Sequence, residues 1–363
     1  MRVAEYIEKL KPYEGGKPID ELKRQLNIEG EIIKLASNEN PFGPSEKAVE
    51  AIKKTAAGVN YYPDGDSYYL KHKLADRLGV NPDNIIFGNG SDELIELIYR
   101  TFATSYDDEI VYCYPTFVEY KIIGLSFGKK LVELPLKDFS YDIDAILEHI
   151  TDRTRLVFLN TPNNPTGTKI DRSDIERVID KCSNDTLVVI DEAYYEYAIL
   201  EDDYSELLDL YKKGNVIILR TFSKAYGLAG LRIGYGVAHP EIINYLNRVR
   251  PPFNVNIVAQ NAALAALDDI EHVKKTVLDA KKQKEYLYTE FDKIGIKYVK
   301  SYANFVLFDV GQDADEIYRK LLQKGIIVRS MSGYGLKSFL RVSVGLDYQN
   351  RRFIEALKDI LNV

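Results

Sequence analysis

The sequence predicts an α/β protein: a large domain with a mainly parallel sheet flanked by helices, joined to a smaller α+β domain. From about residue 45 to 240, short Val- and Ile-rich runs alternate with helical patterns. Alternation of that kind pairs strands in parallel and covers both sheet faces with helices. The last third changes character, with a helical stretch over 257–294 followed by shorter strand-like runs. A chain of 363 residues can bury a large core and divide in two. The expected division is 41–250 for the large domain and 1–40 plus 251–363 for the small one.

In chain order, residues 1–30 read as a charged segment with a helix-like stretch at Ile19–Leu26. Ile32–Ala36 reads as a short strand running into Ser37-Asn38-Glu39-Asn40-Pro41-Phe42-Gly43-Pro44. Its two prolines and glycine make that octet a rigid turn. Six runs read as strands of the large sheet: Asn84–Phe87, Glu109–Tyr112, Leu156–Leu159, Leu187–Ile190, Val216–Leu219 and Ile233–Val237. Leu94, Ile95, Leu97, Ile98 and Phe102 recur at helical spacing. Phe305–Phe308, Ile326–Val328 and Phe339–Val344 are the strand candidates of the small domain.

Composition excludes several function classes. The net charge is −7 and no basic block interrupts it, which argues against nucleic-acid binding. Cys113 and Cys182 are far apart, so the sequence suggests a reducing cytoplasm rather than a disulfide framework. Four scattered histidines show no metal-ligand spacing. No apolar run suits a signal core or a membrane span. The expected partners are small molecules.

The chemistry sits at strand ends. Ligands of open parallel sheets bind beyond the carboxyl ends of the strands. Gly88-Asn89-Gly90-Ser91-Asp92 follows one such run and opens a helix. Glycine lets the backbone approach an anion, and free amides at a helix start can bind it. Gly90, Ser91 and Asp92 are therefore candidates for a cofactor phosphate; alone, the motif reads more simply as a tight turn with Ser91 as helix cap, and both can hold, because a phosphate site can use a capped helix start. Asn163-Asn164-Pro165-Thr166-Gly167 follows the strand run ending at Leu159, and Asp191-Glu192-Ala193-Tyr194 follows another. Asp191 can cap a helix, or it can keep a pyridine nitrogen protonated. Asn164 and Tyr194 can donate to a phenolic oxygen on the same ring.

Leu219 leads into Arg220-Thr221-Phe222-Ser223-Lys224, and Arg232 follows eight residues after the lysine. A lysine in a hydroxyl-rich turn near an arginine suits a Schiff base with a phosphorylated aldehyde. The amine reaches the carbon while Thr221, Ser223 and Arg232 hold the phosphate. The cofactor implied is pyridoxal 5'-phosphate. Phe117 is either a core ring or a stacking partner for the cofactor. Tyr62 is either a surface-turn residue or a phosphate donor. Arg329 and Arg341 follow C-terminal strand runs and can each clamp a substrate anion. By itself Arg329 reads more simply as a surface ion pair.

The Lys224 segment, NNPTG at 163–167, DEAY at 191–194 and FLRVSVG around Arg341 resemble the aspartate-aminotransferase superfamily of fold-type-I pyridoxal-phosphate enzymes. LASNENPFGPS at 35–45, YYPDG at 61–65, GNGSDE at 88–93, TFSKAYGLAGLRIGY at 221–235, PPFNVN at 251–256 and PYEGGKP at 12–18 are similar to its histidinol-phosphate aminotransferase group. The likeness spans nearly the whole chain. It implies that Lys224 carries the cofactor and that Asp191 pairs with the pyridinium. It places Asn164 and Tyr194 at the phenolic oxygen, Phe117 on the ring, and Gly90, Ser91, Ser223 and Arg232 at the phosphate. Tyr62 would come from a second subunit, which implies a homodimer with shared active sites. Arg341, assisted by Arg329, would hold the substrate's carboxylate or phosphate, and Asn40 would line the substrate pocket. Glu46 departs from the proline common in relatives. Aromatic-amino-acid transamination and threonine-phosphate decarboxylation are the competing activities.

Overall fold

The computed structural model describes residues 3–8, 10 and 31–363. The stretch expected as a helix at Ile19–Leu26 and the motif at 12–18 lie outside the described residues. Strand β1 (Ile33–Lys34) opens the described body. The large sheet takes β2 (Ile85–Gly88), β3 (Glu109–Tyr114), β4 (Lys130–Pro135), β5 (Thr154–Asn160), β6 (Leu187–Asp191), β7 (Val216–Thr221) and β8 (Gly234–Ala238). Their order is β2-β8-β7-β6-β5-β3-β4. β8 runs antiparallel to both of its neighbours, and the other pairs are parallel. The six strand runs read from the sequence all fall in this sheet. β4 was not among them. It is an edge strand whose short Leu-Val-Glu-Leu run is broken by an exposed glutamate and follows an exposed lysine, a composition that discourages pairing with another chain.

The strands are buried on both faces, as parallel strands between helices must be. Side chains alternate, so each strand feeds two cores. Leu156, Phe158, Leu187, Val189, Ile217 and Leu219 pack with Leu94, Ile95 and Ile98 of the helix Ser91–Phe102. Val157, Leu159, Val188, Ile190, Val216 and Ile218 pack on the opposite face with Ile175, Val178 and Ile179. This alternation decides where each strand-end side chain points.

The small sheet holds β9 (Lys297–Val299), β10 (Phe305–Asp309), β12 (Arg329–Ser330) and β13 (Phe339–Ser343), all antiparallel, in the order β12-β13-β10-β9. β11 (Ile326–Ile327) pairs in parallel with β1. The Ser343 amide donates to the Leu35 carbonyl at 2.8 Å, so residues 33–35 join the C-terminal body. Helices fill 257–266 and 270–293. The first of these packs on Glu46–Ala56 and Tyr68–Leu78, and one apolar core runs across the expected boundary at residue 250. Glu46 is the first residue of its helix, where a carboxylate suits the positive end of the dipole.

Candidate active site

Strand parity gathers the site. Asn160, Asp191 and Thr221 end β5, β6 and β7, and each has the parity of the residues packed on the helix Ser91–Phe102. They line one pocket of about 300 Å3 together with Ser91, Ser223 and Lys224. Arg232 joins from the amino end of β8, because β8 runs against its neighbours. Phe117, Asn164, Tyr194, Asp92, Arg329 and Arg341 also face this pocket.

Asp191 is buried at the pocket floor. Tyr120 donates its hydroxyl to Asp191 Oδ2 at 2.6 Å, and the Ala193 amide donates to Oδ1 at 3.1 Å. Burial pushes the carboxyl up to about 6, against the pull of those two bonds. The group stays ionised at neutral pH and can face a protonated ring nitrogen. Lys224 lies in the turn after β7, with Nζ 3.3 Å from the Ser37 carbonyl oxygen. Burial, and then the charge of Arg341, lowers its ammonium to about 8. A proton leaves such an amine easily.

The phosphate end is built from a helix start and a guanidinium. Gly90 caps the helix Ser91–Phe102 at φ 82° with no side-chain cap bond. Ser91 is therefore the first helical residue rather than the cap, and the first amides are left for an anion. A Cβ on Gly90 would lie 2.5 Å from Arg232 Nη2, and one on Gly234 would lie 2.7 Å from the Ser91 amide nitrogen. Gly90 does not line the pocket; its bareness makes room for Arg232. Asp92 departs from its expected role. Its carboxylate accepts from Arg232 Nη2 at 2.8 Å, so its side chain aims the guanidinium and only its amide can serve a phosphate. Thr221 Oγ1 donates to Ser223 Oγ at 2.9 Å, which leaves the Ser223 proton for the ligand.

Tyr194 precedes a short helix, and its hydroxyl accepts from Asn38 Nδ2 at 2.9 Å. Its own proton can still reach a phenolic oxygen. Asn164 Oδ1 accepts from Arg341 Nη1, and Arg341 Nη2 donates to the Ala36 carbonyl at 2.7 Å. The Arg329 side chain makes no hydrogen bond or ion pair among the described residues and faces the pocket. Phe117 meets Tyr120 edge-on, with ring centroids 5.7 Å apart. The set fits pyridoxal phosphate: a reachable amine, a buried carboxylate, a ring platform and an anion cradle stand around one cavity.

Two expected residues stand elsewhere. Asn40 donates to the Ala225 carbonyl at 2.9 Å and accepts from the Phe42 amide. It is not among the pocket-lining residues; it pins the turn to the lysine loop, and Asn38 takes the place facing the pocket. Tyr62 lies outside this chain's pocket. It is 82% exposed and stacks on Phe253 at 4.9 Å. Sequence reasoning missed Asn38, Tyr120 and Asn160. Asn38 lay inside a motif already singled out, whereas Tyr120 is one of 27 tyrosines with nothing local to mark it.

Residues 30–357 match the family described as aminotransferase class I and II. This chain belongs to that family. It is 48% identical over 359 residues to the histidinol-phosphate aminotransferase of Moorella thermoacetica, covering 98% of this chain and 92% of the relative. It is 47% identical to that of Caldicellulosiruptor saccharolyticus, covering 98% and 99%. Among solved structures it resembles histidinol-phosphate aminotransferase from Sinorhizobium meliloti in complex with pyridoxal-5'-phosphate. There the TM-score is 0.91 at 29% identity, over 99% of this chain and 98% of the other. The α/β architecture described above agrees with that likeness.

Proposed function

We propose that this aminotransferase uses pyridoxal 5'-phosphate to exchange an amino group between glutamate and imidazole acetol phosphate, giving 2-oxoglutarate and histidinol phosphate. The observation that carries the chemistry is the single pocket holding Lys224, Asp191 and Arg232. Near-full-length likeness to enzymes named for histidinol phosphate supports the substrate.

When bound, the cofactor supplies an aldehyde that takes up the amino group and a ring that accepts electron density from the substrate carbon. Lys224 would hold the cofactor through its amine, and as a neutral amine it can take the proton from the donor's α-carbon. Asp191 keeps the ring nitrogen protonated, and Tyr120 fixes the carboxylate's orientation. Asn164 and Tyr194 would donate to the phenolic oxygen. Ser91, Ser223 and Arg232 would bind the cofactor phosphate, with the Arg232 guanidinium seated against the bare Gly90. Arg341 receives the carboxylate of glutamate or the phosphate of the other substrate, and Arg329 completes the clamp. A guanidinium fork suits both anions.

The enzyme acts as a homodimer in the cytoplasm. Tyr61, Tyr62, Tyr69 and Phe253 are all exposed, and Tyr62 stacks on Phe253. A second copy covers the Tyr62–Phe253 pair, and Tyr62 from that copy reaches the cofactor phosphate. Two free cysteines, Cys113 and Cys182, suit a reducing compartment.

Steady-state kinetics with histidinol phosphate, phenylalanine and tyrosine as donors to 2-oxoglutarate tests the substrate. A kcat/KM for histidinol phosphate below that of the aromatic amino acids would overturn it. Lys224→Ala should abolish turnover, and Arg341→Gln should raise KM for both anionic substrates by roughly tenfold or more, as expected for losing a charge-assisted pair. Full transamination by the lysine variant would refute the chemistry.

A further inference from the structure

Behind the cofactor pocket, on the opposite face of the large sheet, lies a buried ionic cluster. Glu192 follows Asp191 at the end of β6, and Arg220 precedes Thr221 at the end of β7. Alternation sends Asp191 and Thr221 to the pocket and Glu192 and Arg220 away from it. Arg220 is 1% exposed and Glu192 0%. Arg220 Nε and Nη2 donate to Glu192 Oε2 at 2.9 and 2.7 Å, and Nη2 also donates to Glu206 Oε1 at 2.7 Å. The Arg220 guanidinium lies 3.4 Å from the centre of the Tyr195 ring, next to Tyr194. Tyr204 donates to Glu192 Oε1 at 2.9 Å and comes within 3.2 Å of the Thr161 carbonyl, one residue beyond Asn160.

The cluster thus touches the ends of β5, β6 and β7, the three strands that deliver Asn160, Asp191 and the lysine loop. Backbone pairing between β6 and β7 stops at Asp191–Leu219, and one further amide bond joins Glu192 to Leu219. Beyond it the two chains part, one toward Tyr194 and the other toward Lys224. The Arg220–Glu192 pair is a side-chain tie where they part. A buried ion pair is weak evidence of stabilisation, because an apolar pair of similar volume often serves as well. Its placement on the back of the catalytic strand ends calls for another explanation.

We propose that Arg220 and Glu192 are positioning residues for amino transfer: their ion pair fixes the spacing between the strand ends that present Asp191 and Lys224 to opposite sides of the cofactor. This rests on the pyridoxal-phosphate reading above. A displacement on the order of 1 Å at a reacting group can cost about a hundredfold in rate.

The test is the double variant Arg220→Met/Glu192→Leu, which removes the two buried charges together; Glu206, 45% exposed, stays in contact with water and keeps its bonds from Tyr195 and the Leu207 and Leu208 amides. The expected result is thermal stability of the cofactor-free protein close to wild type and kcat lower by roughly 10- to 100-fold. KM should stay within about threefold, since Arg341 and Arg329 are untouched. The circular dichroism that the protein induces in bound pyridoxal phosphate should change, because ring tilt changes. Wild-type kcat and dichroism in a stable double variant would overturn the proposal. Should that variant fail to fold, Arg220→Lys decides. It keeps the charge and loses the two-pronged contact, so kcat should fall at least about fivefold with KM unchanged. A Lys variant with wild-type kcat would overturn the proposal. Failure of the wild-type protein to take up pyridoxal phosphate would instead sink the reading on which it rests.

Discussion

Tyr120→Phe removes one hydroxyl and leaves the ring packed on Phe158. The lost bond is the 2.6 Å contact to Asp191 Oδ2, in a region closed to water. A hydrogen bond to a charged group contributes about 1.5–3 kcal/mol, which is about one to two pKa units. The Asp191 carboxyl, already at about 6 through burial, should therefore rise by about one to two units in the cofactor-free variant. With cofactor bound, carboxylate and ring nitrogen compete for one proton. A more basic Asp191 draws it off the ring, and the ring accepts electron density less well. We expect kcat to fall about tenfold for glutamate and histidinol phosphate alike, with KM little changed. Nitrogen-15 NMR of ring-labelled cofactor should show a less protonated nitrogen. A linked effect follows without cofactor. Asp191 holds its proton more tightly folded than unfolded, where a carboxyl titrates near about 3.9. Its contribution to stability therefore falls as pH rises from about 4 to 6 and stays low above. In the variant that decline should extend upward by about one to two units. Denaturant titrations across pH would show it. Unchanged kcat together with an unchanged ring nitrogen would refute the reasoning.

Gly90→Ala should weaken cofactor binding by roughly tenfold or more, since φ of 82° strains alanine and its Cβ would strike the Arg232 guanidinium; fluorescence titration of the cofactor-free protein measures it. Asn40→Ala should cost about 1–3 kcal/mol of stability by stripping the Ala225 carbonyl of its donor, with KM for both substrates unchanged; a raised KM would return Asn40 to the substrate pocket. Cofactor capture by the cofactor-free protein requires the neutral Lys224 amine, so its rate should rise with pH and level off above about 8. A pH-independent rate measured by stopped-flow absorbance would contradict the depressed ammonium.

What the sequence shows well is what is local. Lys224, Asp191, Asn164 and the Gly90 turn each follow an apolar run, and the strand-end rule alone sends them toward a common edge. The six strand runs were readable because Val and Ile mark buried parallel strands, while the polar edge strand Lys130–Pro135 carries too weak a pattern. The rest depends on contacts between distant segments. Asn38 faces the site because it bonds Tyr194, 156 residues away, and Ser343, 305 residues away. Asn40, two positions on, turns instead toward the lysine loop, and nothing in the SNENP motif distinguishes the two. Tyr120 matters through a carboxylate 71 residues further along. The tie between Glu192 and Arg220 spans 28 residues and needs two strands already aligned before it exists.

The two acids at the tip of β6 stand back to back on a pleated ribbon. Sliding that ribbon by one position would turn each to the opposite face. Glu192 would then point to the side of the heterocycle and Asp191 to the side of the arginine behind the sheet. The charge count on each side would survive such a slip, yet the glutamate arm is one methylene longer than the aspartate arm. Faithful threading of this one strand, more than possession of an acid there, is what the reaction demands.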